Sequence, residues 1–142
     1  MVNKNFIKQK LDKIKDYYKE LEEVLNLEDK EILKKIFYLR AIERVFQLIV
    51  DEMIDINLHL IRNLELSSPQ DFQSSFEIIA KKEIIPPEFA LKIAPVVGLR
   101  NRLVHRYEEI DKKFFLEQIR REKEDFVKYI QYIEAFLEKE IK

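Results

Sequence analysis

The sequence predicts an all-α protein, an antiparallel bundle of about five helices. Apolar residues recur three and four positions apart along several long segments, which is the period of an amphipathic helix. One glycine and four prolines in 142 residues leave too few turns for an all-β protein. This length is that of one domain with a single modest core.

Two long apolar stripes define the first two predicted helices. The segment at 26–31, "NLEDKE", separates the stripes, and Asp29 is the predicted N-cap of the second helix. The second stripe is suited to packing along the length of another helix. The first stripe consists of Ile7, Leu11, Ile14, Tyr18, Leu21 and Leu25, and the second of Leu39, Ile42, Phe46, Ile49, Met53, Ile56 and Leu60.

Three further helices follow a connection marked by serine and proline at 67–69. A short third helix is predicted from about Phe72 to Lys82. Pro87 suits the first turn of the fourth helix, which continues into residues 96–107. Asp111 is the predicted N-cap of the fifth helix. The apolar stripe of that last helix comprises Phe115, Ile119, Phe126, Tyr129, Ile133 and Phe136.

Composition restricts the class of protein. The chain has no cysteine, which excludes disulfides and thiolate metal sites and fits the reducing cytoplasm, the expected location. No signal peptide is visible at the N-terminus, and no apolar run approaches the roughly 18 residues of a membrane span. A net charge of −1 argues against a broadly basic surface that coats nucleic acid, so any contact with RNA is expected to be local.

The stretch "VVGLRNRLVHRY" at 96–107 concentrates polar chemistry in an otherwise plain helical sequence. Arg100, Arg102, His105 and Arg106 place four potentially cationic groups within seven residues. Arginine offers a planar charged fork to phosphate oxygens, and histidine exchanges a proton near neutral pH. Together they supply the components for phosphodiester cleavage, in which an RNA 2′-OH is the nucleophile and no metal is required. From composition alone, a solvated or salt-bridged helix face is the alternative.

Helical geometry predicts which of these side chains lie together. At about 100° per residue, Asn101 and His105 share a face, and Arg100 and Tyr107, seven positions apart, also share one. Arg100 and His105 lie roughly 140° apart. A kink, a long arginine side chain or a groove around the helix would bring both to one ligand.

Pro95 and Gly98 suggest where such a kink or close approach occurs. Pro95 removes a backbone donor, and Gly98 costs up to about 1 kcal/mol relative to alanine within a helix. Gly98 is therefore expected to admit a neighbouring helix or a ligand at close range.

The segment "LRNRLVHRYEEID" resembles the active-site motif of the HepT-like toxins in the HEPN superfamily. Their pattern, Arg-x4-His-x-Tyr, matches at Arg100, His105 and Tyr107, with Asn101 directly after the arginine as is common there. The five-helix layout with a late motif is also similar. The resemblance implies one HEPN-like domain over residues 1–142.

The resemblance also implies a specific activity. HepT-like proteins are ribonuclease toxins of toxin–antitoxin pairs, and they form homodimers in which two motifs meet in a cleft. A minimal nucleotidyltransferase antitoxin neutralises the toxin by transferring AMP to the motif tyrosine. Carried over, Arg100 and His105 are catalytic, Tyr107 is the modified residue, and no metal or other cofactor is needed. The remaining polar residues are assigned to positioning the substrate: Asn101, Arg102 and Arg106.

A homodimer is also expected on chemical grounds. One motif supplies one histidine, whereas two-fold symmetry supplies His105 twice, once as base and once as acid. The apolar stripe at 39–60 and the aromatic fifth helix are predicted to carry more apolar surface than one small bundle buries.

A non-catalytic helical module that binds a nucleotidyltransferase, or presents a substrate to it, is the rival hypothesis. The intact Arg-x4-His favours the nuclease, because a binding module has no need for histidine at that position. Tyr107 likewise has two interpretations, an exposed target for modification or a ring packed on the bundle with its hydroxyl at the surface.

Charged residues on the second helix admit two interpretations. Arg40, Glu43 and Arg44 either support the motif or form surface salt bridges, and the second is favoured; Asp51 remains ambiguous. His59 is expected to be structural, with a hydrogen bond to Asp55 one turn earlier.

Overall fold

The structure, a computed structural model, describes residues 1–140. The last two positions of the predicted domain, 141 and 142, lie outside the described residues. The described residues form eight α-helices and one 3₁₀ turn, without a strand. The prediction of an all-α protein is confirmed.

The helices are more numerous than the five predicted, because three predicted helices are interrupted. Lys35 is extended (φ −112°, ψ 109°) and separates a short α2 from α3, whereas Ala94 and Lys123 keep helical dihedral angles at the other two breaks. The elements in chain order are α1 Lys4–Leu25, α2 Asp29–Lys34, α3 Ile36–Asn63, α4 Ser74–Lys81, α5 Pro87–Ile93, α6 Pro95–His105, the 3₁₀ turn Tyr107–Glu109, α7 Lys112–Glu122 and α8 Glu124–Glu140.

The predicted caps are right at one position and wrong at another. Asp111 caps α7, since its side chain accepts a hydrogen bond from the backbone N–H of Phe114. Asp29 does not cap α2, because Glu28 is the residue before the helix and Asp29 is its first residue. The Asp29 carboxylate instead pairs with Arg120 of α7, which ties α2 to α7.

Both long apolar stripes form the core. Every residue of the two predicted stripes is buried, and α1 packs along α3. The two helices run antiparallel, since Asn3 at the start of α1 contacts His59 near the end of α3, whereas Lys10, further along α1, pairs with the earlier residue Glu52. In α8, Leu137 is buried, while the predicted stripe residue Phe136 is only partly buried.

This packing removes one of the two parts of the argument that excess apolar surface predicts a dimer. The stripe at 39–60 is buried against the other helices of the same chain, so it leaves no apolar face to cover. Phe114, on the predicted fifth helix, is among the large apolar side chains that remain exposed. All of them lie outside the stripe at 39–60: Met1, Leu33, Ile36, Phe37, Phe72, Leu91, Val104 and Phe114.

A buried polar network fixes the connection between α3 and α4. The hydroxyl of Tyr129 donates to Asn57 Oδ1 at 2.6 Å, and Asn57 Nδ2 donates to Ser75 Oγ at 3.0 Å. Ser75 Oγ in turn donates to the backbone carbonyl of Phe72 at 2.7 Å. Buried polar groups that satisfy one another in this way specify a single arrangement, so Phe72 is held in place from the core.

Across residues 1–140, none of the helices combines the length and the apolar character that crossing a membrane requires.

Candidate active site

The candidate site is built around the C-terminal half of α6. The helix ends at His105, because Arg106 adopts non-helical angles (φ −139°, ψ 50°) and the chain enters the 3₁₀ turn that begins with Tyr107. Arg100, Asn101 and His105 therefore lie on the helix and Tyr107 does not. The predicted shared face of Arg100 and Tyr107 is wrong for this reason.

One open surface depression gathers the polar side chains singled out from the sequence. Arg100 and His105 both border it, although they lie on different sides of an ideal helix. An exposed aromatic ring, Phe72, closes one part of its rim. The residues that line the depression are Phe72, Gly98, Arg100, Asn101, Arg102, His105 and Arg106.

Arg100 is held by two hydrogen bonds. Its Nε donates to Asp51 Oδ1 of α3 at 2.8 Å, and its Nη1 donates to Asn101 Oδ1 at 3.2 Å. The side chain is 21% exposed. Two bonds from a group with five N–H donors fix the plane of the guanidinium and leave the other N–H groups for a phosphate.

Three exposed cationic or titratable side chains line the same depression as this fixed arginine. His105 is the last residue of α6 and is exposed. Arg102 and Arg106 are exposed on either side of it. The depression thus combines an oriented guanidinium, an accessible imidazole and two arginines that reach into solvent.

Gly98 does not mark a close approach of helices. A Cβ at this position would meet only Arg102 Nη1 at 3.8 Å and Gln73 Oε1 at 3.9 Å, which are ordinary van der Waals contacts. The predicted close helix–helix contact is therefore wrong. What the glycine does provide is open space beside Arg102 in the depression; its use by a ligand stays a prediction.

Tyr107 is tied to α3 through its hydroxyl, which donates to Glu43 Oε2 at 2.8 Å. Glu43 is 7% exposed. The guanidinium of Arg40 lies 4.4 Å from the centre of the Tyr107 ring, and Lys112 Nζ lies 5.5 Å from it. The hydroxyl therefore points to a buried carboxylate, which agrees with neither of the two sequence interpretations of Tyr107.

Burial dominates the electrostatics of this pair. It raises the pKa of Glu43, against the opposing effects of the Tyr107 hydrogen bond and of Arg40. Burial also raises the pKa of Tyr107, and the neighbouring Glu43 carboxylate raises it further. The expected Arg40–Glu43 salt bridge is present at 3.5 Å, but the favoured surface role is wrong for Glu43, which is buried against the motif tyrosine.

His59 lies outside this site, as predicted. Its Nε2 accepts a hydrogen bond from the backbone N–H of Asn3 at 3.0 Å, and its ring stacks on Phe6 with centroids 4.7 Å apart. The predicted hydrogen bond to Asp55 is wrong, because Asp55 pairs with Lys10 at 2.8 Å. His59 joins the start of α1 to the end of α3.

Within residues 1–140, no three histidine, aspartate or glutamate side chains come together as metal ligands.

Sequence reasoning missed or left open three residues of the site. Phe72 lies in an irregular connection, where no periodicity marks an aromatic ring as exposed. Glu43 and Asp51 carried a weak signal, since they are acidic residues within a mostly apolar helix. Their roles depend on which part of α6 and its following turn lies opposite, and one helical stripe does not contain that information.

An all-α bundle with an Arg-x4-His-x-Tyr sequence that spans the C-terminal end of a late helix defines the class of the HEPN ribonucleases. The chain belongs to the HepT-like ribonuclease family, whose model, described as "Ribonuclease HepT-like", matches residues 14–133. The family match therefore agrees with the resemblance of the segment around Arg100 and His105 to the HepT-like motif.

Two curated relatives and one solved structure illustrate the similarity. The chain is 32% identical to the tRNA nuclease HepT of Aphanizomenon flos-aquae, over 92% of this chain and 89% of that protein. It is 33% identical to the mRNA nuclease HepT of Shewanella oneidensis, over 58% of this chain and 62% of that protein. The fold matches the tri-AMPylated Shewanella oneidensis HEPN toxin in complex with MNT antitoxin, with a TM-score of 0.85, 26% identity, and coverage of 92% of this chain and 97% of that one.

Proposed function

We propose that this chain is the toxin of a toxin–antitoxin pair, a metal-independent endoribonuclease that acts through Arg100 and His105 in the cytoplasm. The observation that carries the proposal is the common depression that both residues border in a chain of the HepT-like family. A nucleotidyltransferase antitoxin neutralises the toxin by adding AMP to Tyr107. The tri-AMPylated state and the antitoxin complex of the Shewanella oneidensis toxin support this part.

The chemistry assigns a separate task to each polar residue. Arg100 binds the scissile phosphate, and His105 exchanges a proton with the 2′-OH or the leaving oxygen. Attack by the 2′-OH leaves a 2′,3′-cyclic phosphate and a 5′-OH. Asn101 orients the Arg100 guanidinium through its hydrogen bond, while Arg102 and Arg106 neutralise flanking phosphates.

A homodimer completes the acid–base pair. One chain supplies a single motif histidine, and a two-fold axis next to α6 supplies a second. Val104 precedes His105 and is 40% exposed although apolar, which suits the contact surface of such a dimer. The proposed dimer interface is therefore formed by α6, the motif helix, and not by the apolar stripe of α3.

Phe72 is proposed to stack on a base of the RNA. Its ring is 48% exposed at the rim of a depression lined by arginines. Aromatic faces beside a basic groove are how many proteins hold single-stranded nucleic acid.

The decisive experiment measures cleavage of RNA by the purified protein in EDTA. We expect cleavage by the wild type to persist and His105→Ala and Arg100→Lys to lose most activity, since lysine lacks the bidentate fork. A 2′-O-methyl group at the cleavage position should abolish the reaction. The matched controls are His59→Gln and Arg121→Lys, which change the same residue types outside the depression.

Three results would contradict the proposal. Activity lost in EDTA and restored by magnesium would exclude the metal-independent mechanism. Equal cleavage by His105→Ala and the wild type would overturn the catalytic role of His105. No cleavage by either protein would favour the non-catalytic binding module instead.

A further inference from the structure

We propose that Glu43 is the general base for the modification of Tyr107, so that the toxin itself supplies the group that deprotonates its own target hydroxyl. This inference rests on the proposed neutralisation by AMP transfer. It assigns to the chain a residue that acts in the antitoxin's reaction and has no part in RNA cleavage.

The first support is geometric. Glu43 Oε2 accepts the Tyr107 hydroxyl at 2.8 Å, within the distance that general-base catalysis requires. Glu43 Oε1 lies 3.5 Å from Arg40 Nη1, so both carboxylate oxygens have a partner. Glu43 lies on the long helix α3, and its side chain is only 8% exposed. The base is therefore placed on a rigid element and oriented before a nucleotide arrives.

The second support is the need for a base. A neutral phenol is a weak nucleophile, and burial beside Glu43 raises the pKa of Tyr107 above its ordinary value. The hydroxyl is therefore protonated at neutral pH and must lose its proton as the new bond forms. Burial raises the pKa of Glu43, which makes its carboxylate a stronger base than an exposed one.

The reaction balances with ATP as the co-reactant. The Tyr107 oxygen attacks the α-phosphorus of ATP and forms the new O–P bond, while its proton passes to Glu43 Oε2. The bond from the α-phosphorus to the oxygen bridging to the β-phosphorus breaks, and pyrophosphate leaves with that electron pair. Glu43 then returns its proton to solvent.

The same residues favour the product once it has formed. Esterified Tyr107 has no proton to donate to Glu43, and its phosphodiester is negative, so the AMP group is repelled from the carboxylate. Arg40, whose side chain is 54% exposed, lies over the Tyr107 ring and offers charged N–H groups to the phosphodiester. The competing role for Glu43 is that of a tether, which only holds the Tyr107 hydroxyl by its hydrogen bond. In that role Glu43 would slow the modification.

The test measures the rate at which the cognate minimal nucleotidyltransferase adds AMP to Tyr107 from ATP, by intact mass, across pH. Glu43→Gln keeps the size of the side chain and removes the basic oxygen. We expect its rate at neutral pH to fall about 10²- to 10⁴-fold and to rise steadily with pH, whereas the wild-type rate levels off. Glu52→Gln is the matched control, since Glu52 is equally buried on α3 and pairs with Lys10.

The outcomes separate this inference from the function on which it rests. No AMP on the wild type would overturn the proposed neutralisation itself. An unchanged or faster rate in a folded Glu43→Gln would overturn the base and, if faster, identify a tether. If Glu43→Gln fails to fold, Glu43→Asp is the deciding variant, because it keeps a carboxylate. A carboxylate base predicts that its rate of AMP transfer reaches a plateau with pH. A rate that rises continuously with pH in both Glu43→Asp and the wild type would overturn the role of Glu43 as the base.

Discussion

Asp51 Oδ1 lies 2.8 Å from Nε of Arg100, and this ion pair joins α3 to the motif helix. Removing Asp51 frees the guanidinium to rotate away from the phosphate. We expect Asp51→Ala to lower kcat/KM for RNA by roughly 10- to 100-fold, the loss expected from a misplaced catalytic group. Asp55→Ala is the control, one turn along the same helix and paired with Lys10; an equal loss in both variants would contradict a role through Arg100.

Phe72 allows a test of substrate binding that is independent of the cleavage step. We expect Phe72→Ala to raise the dissociation constant for a 2′-O-methyl RNA by about 5- to 150-fold, since one base–aromatic stack contributes about 1–3 kcal/mol. Phe72→Tyr keeps the ring and should bind as the wild type does. Equal affinity of all three proteins would show that the exposed ring does not contact RNA.

The proposed dimer predicts a sensitive position next to His105, the proposed catalytic histidine. Val104→Asp places a charge at the proposed two-fold contact, where it would be desolvated. We expect light scattering at tens of micromolar, a range in which many specific interfaces persist, to show a dimer for the wild type and a monomer for the variant. Leu91→Asp, at a position that is 77% exposed on α5, should remain dimeric. A monomeric wild type would refute the dimer.

The buried network around Asn57 predicts a stability effect. Asn57 is 0% exposed, and its amide links Tyr129 to Ser75. Asn57→Ala removes both of these buried hydrogen bonds, while the two hydroxyls keep the carbonyl oxygens of Met53 and Phe72 as acceptors. The free energy of unfolding should therefore fall by about 2 kcal/mol. Urea denaturation measures this, with the exposed Asn5→Ala as the control, expected to stay within about 0.5 kcal/mol of the wild type.

His59 predicts a pH dependence of stability. Burial, with Arg62 and the N-terminal amino group, lowers the pKa of His59, and its Nε2 must be unprotonated to accept from Asn3. The unfolded chain therefore binds this proton more readily, and stability falls as pH drops through the ordinary histidine pKa of about 6.5. The contribution is complete above that value. The difference in unfolding free energy between the wild type and His59→Gln should shrink between about pH 7 and pH 5; a constant difference would contradict it.

The sequence predicts the helices well, but it predicts the side-chain contacts between helices poorly. The buried faces of α1 and α3 follow from apolar spacing alone, because burial is a property of one helix and its period. The end of α6 at His105 was missed, since no proline or glycine follows to stop the helix. Partners such as Asp51 for Arg100 depend on the register between two helices, which a single stripe does not encode.

Tyr107 follows Arg100 and His105 closely in the chain, yet it belongs to a different structural element, the 3₁₀ turn beyond the end of α6. Its turn is closed by local backbone hydrogen bonds, from Glu109 N to Arg106 O at 2.9 Å and from Ile110 N to Tyr107 O at 3.1 Å. A backbone turn closed by two such bonds is expected to adjust locally at a small fraction of the global unfolding free energy, on the fast timescale of loops. The backbone around Tyr107 is therefore expected to adapt to an approaching enzyme while the hydroxyl stays on Glu43 and α6 stays folded, so that silencing acts on the native toxin, and an already assembled molecule is as vulnerable to it as a newly made one.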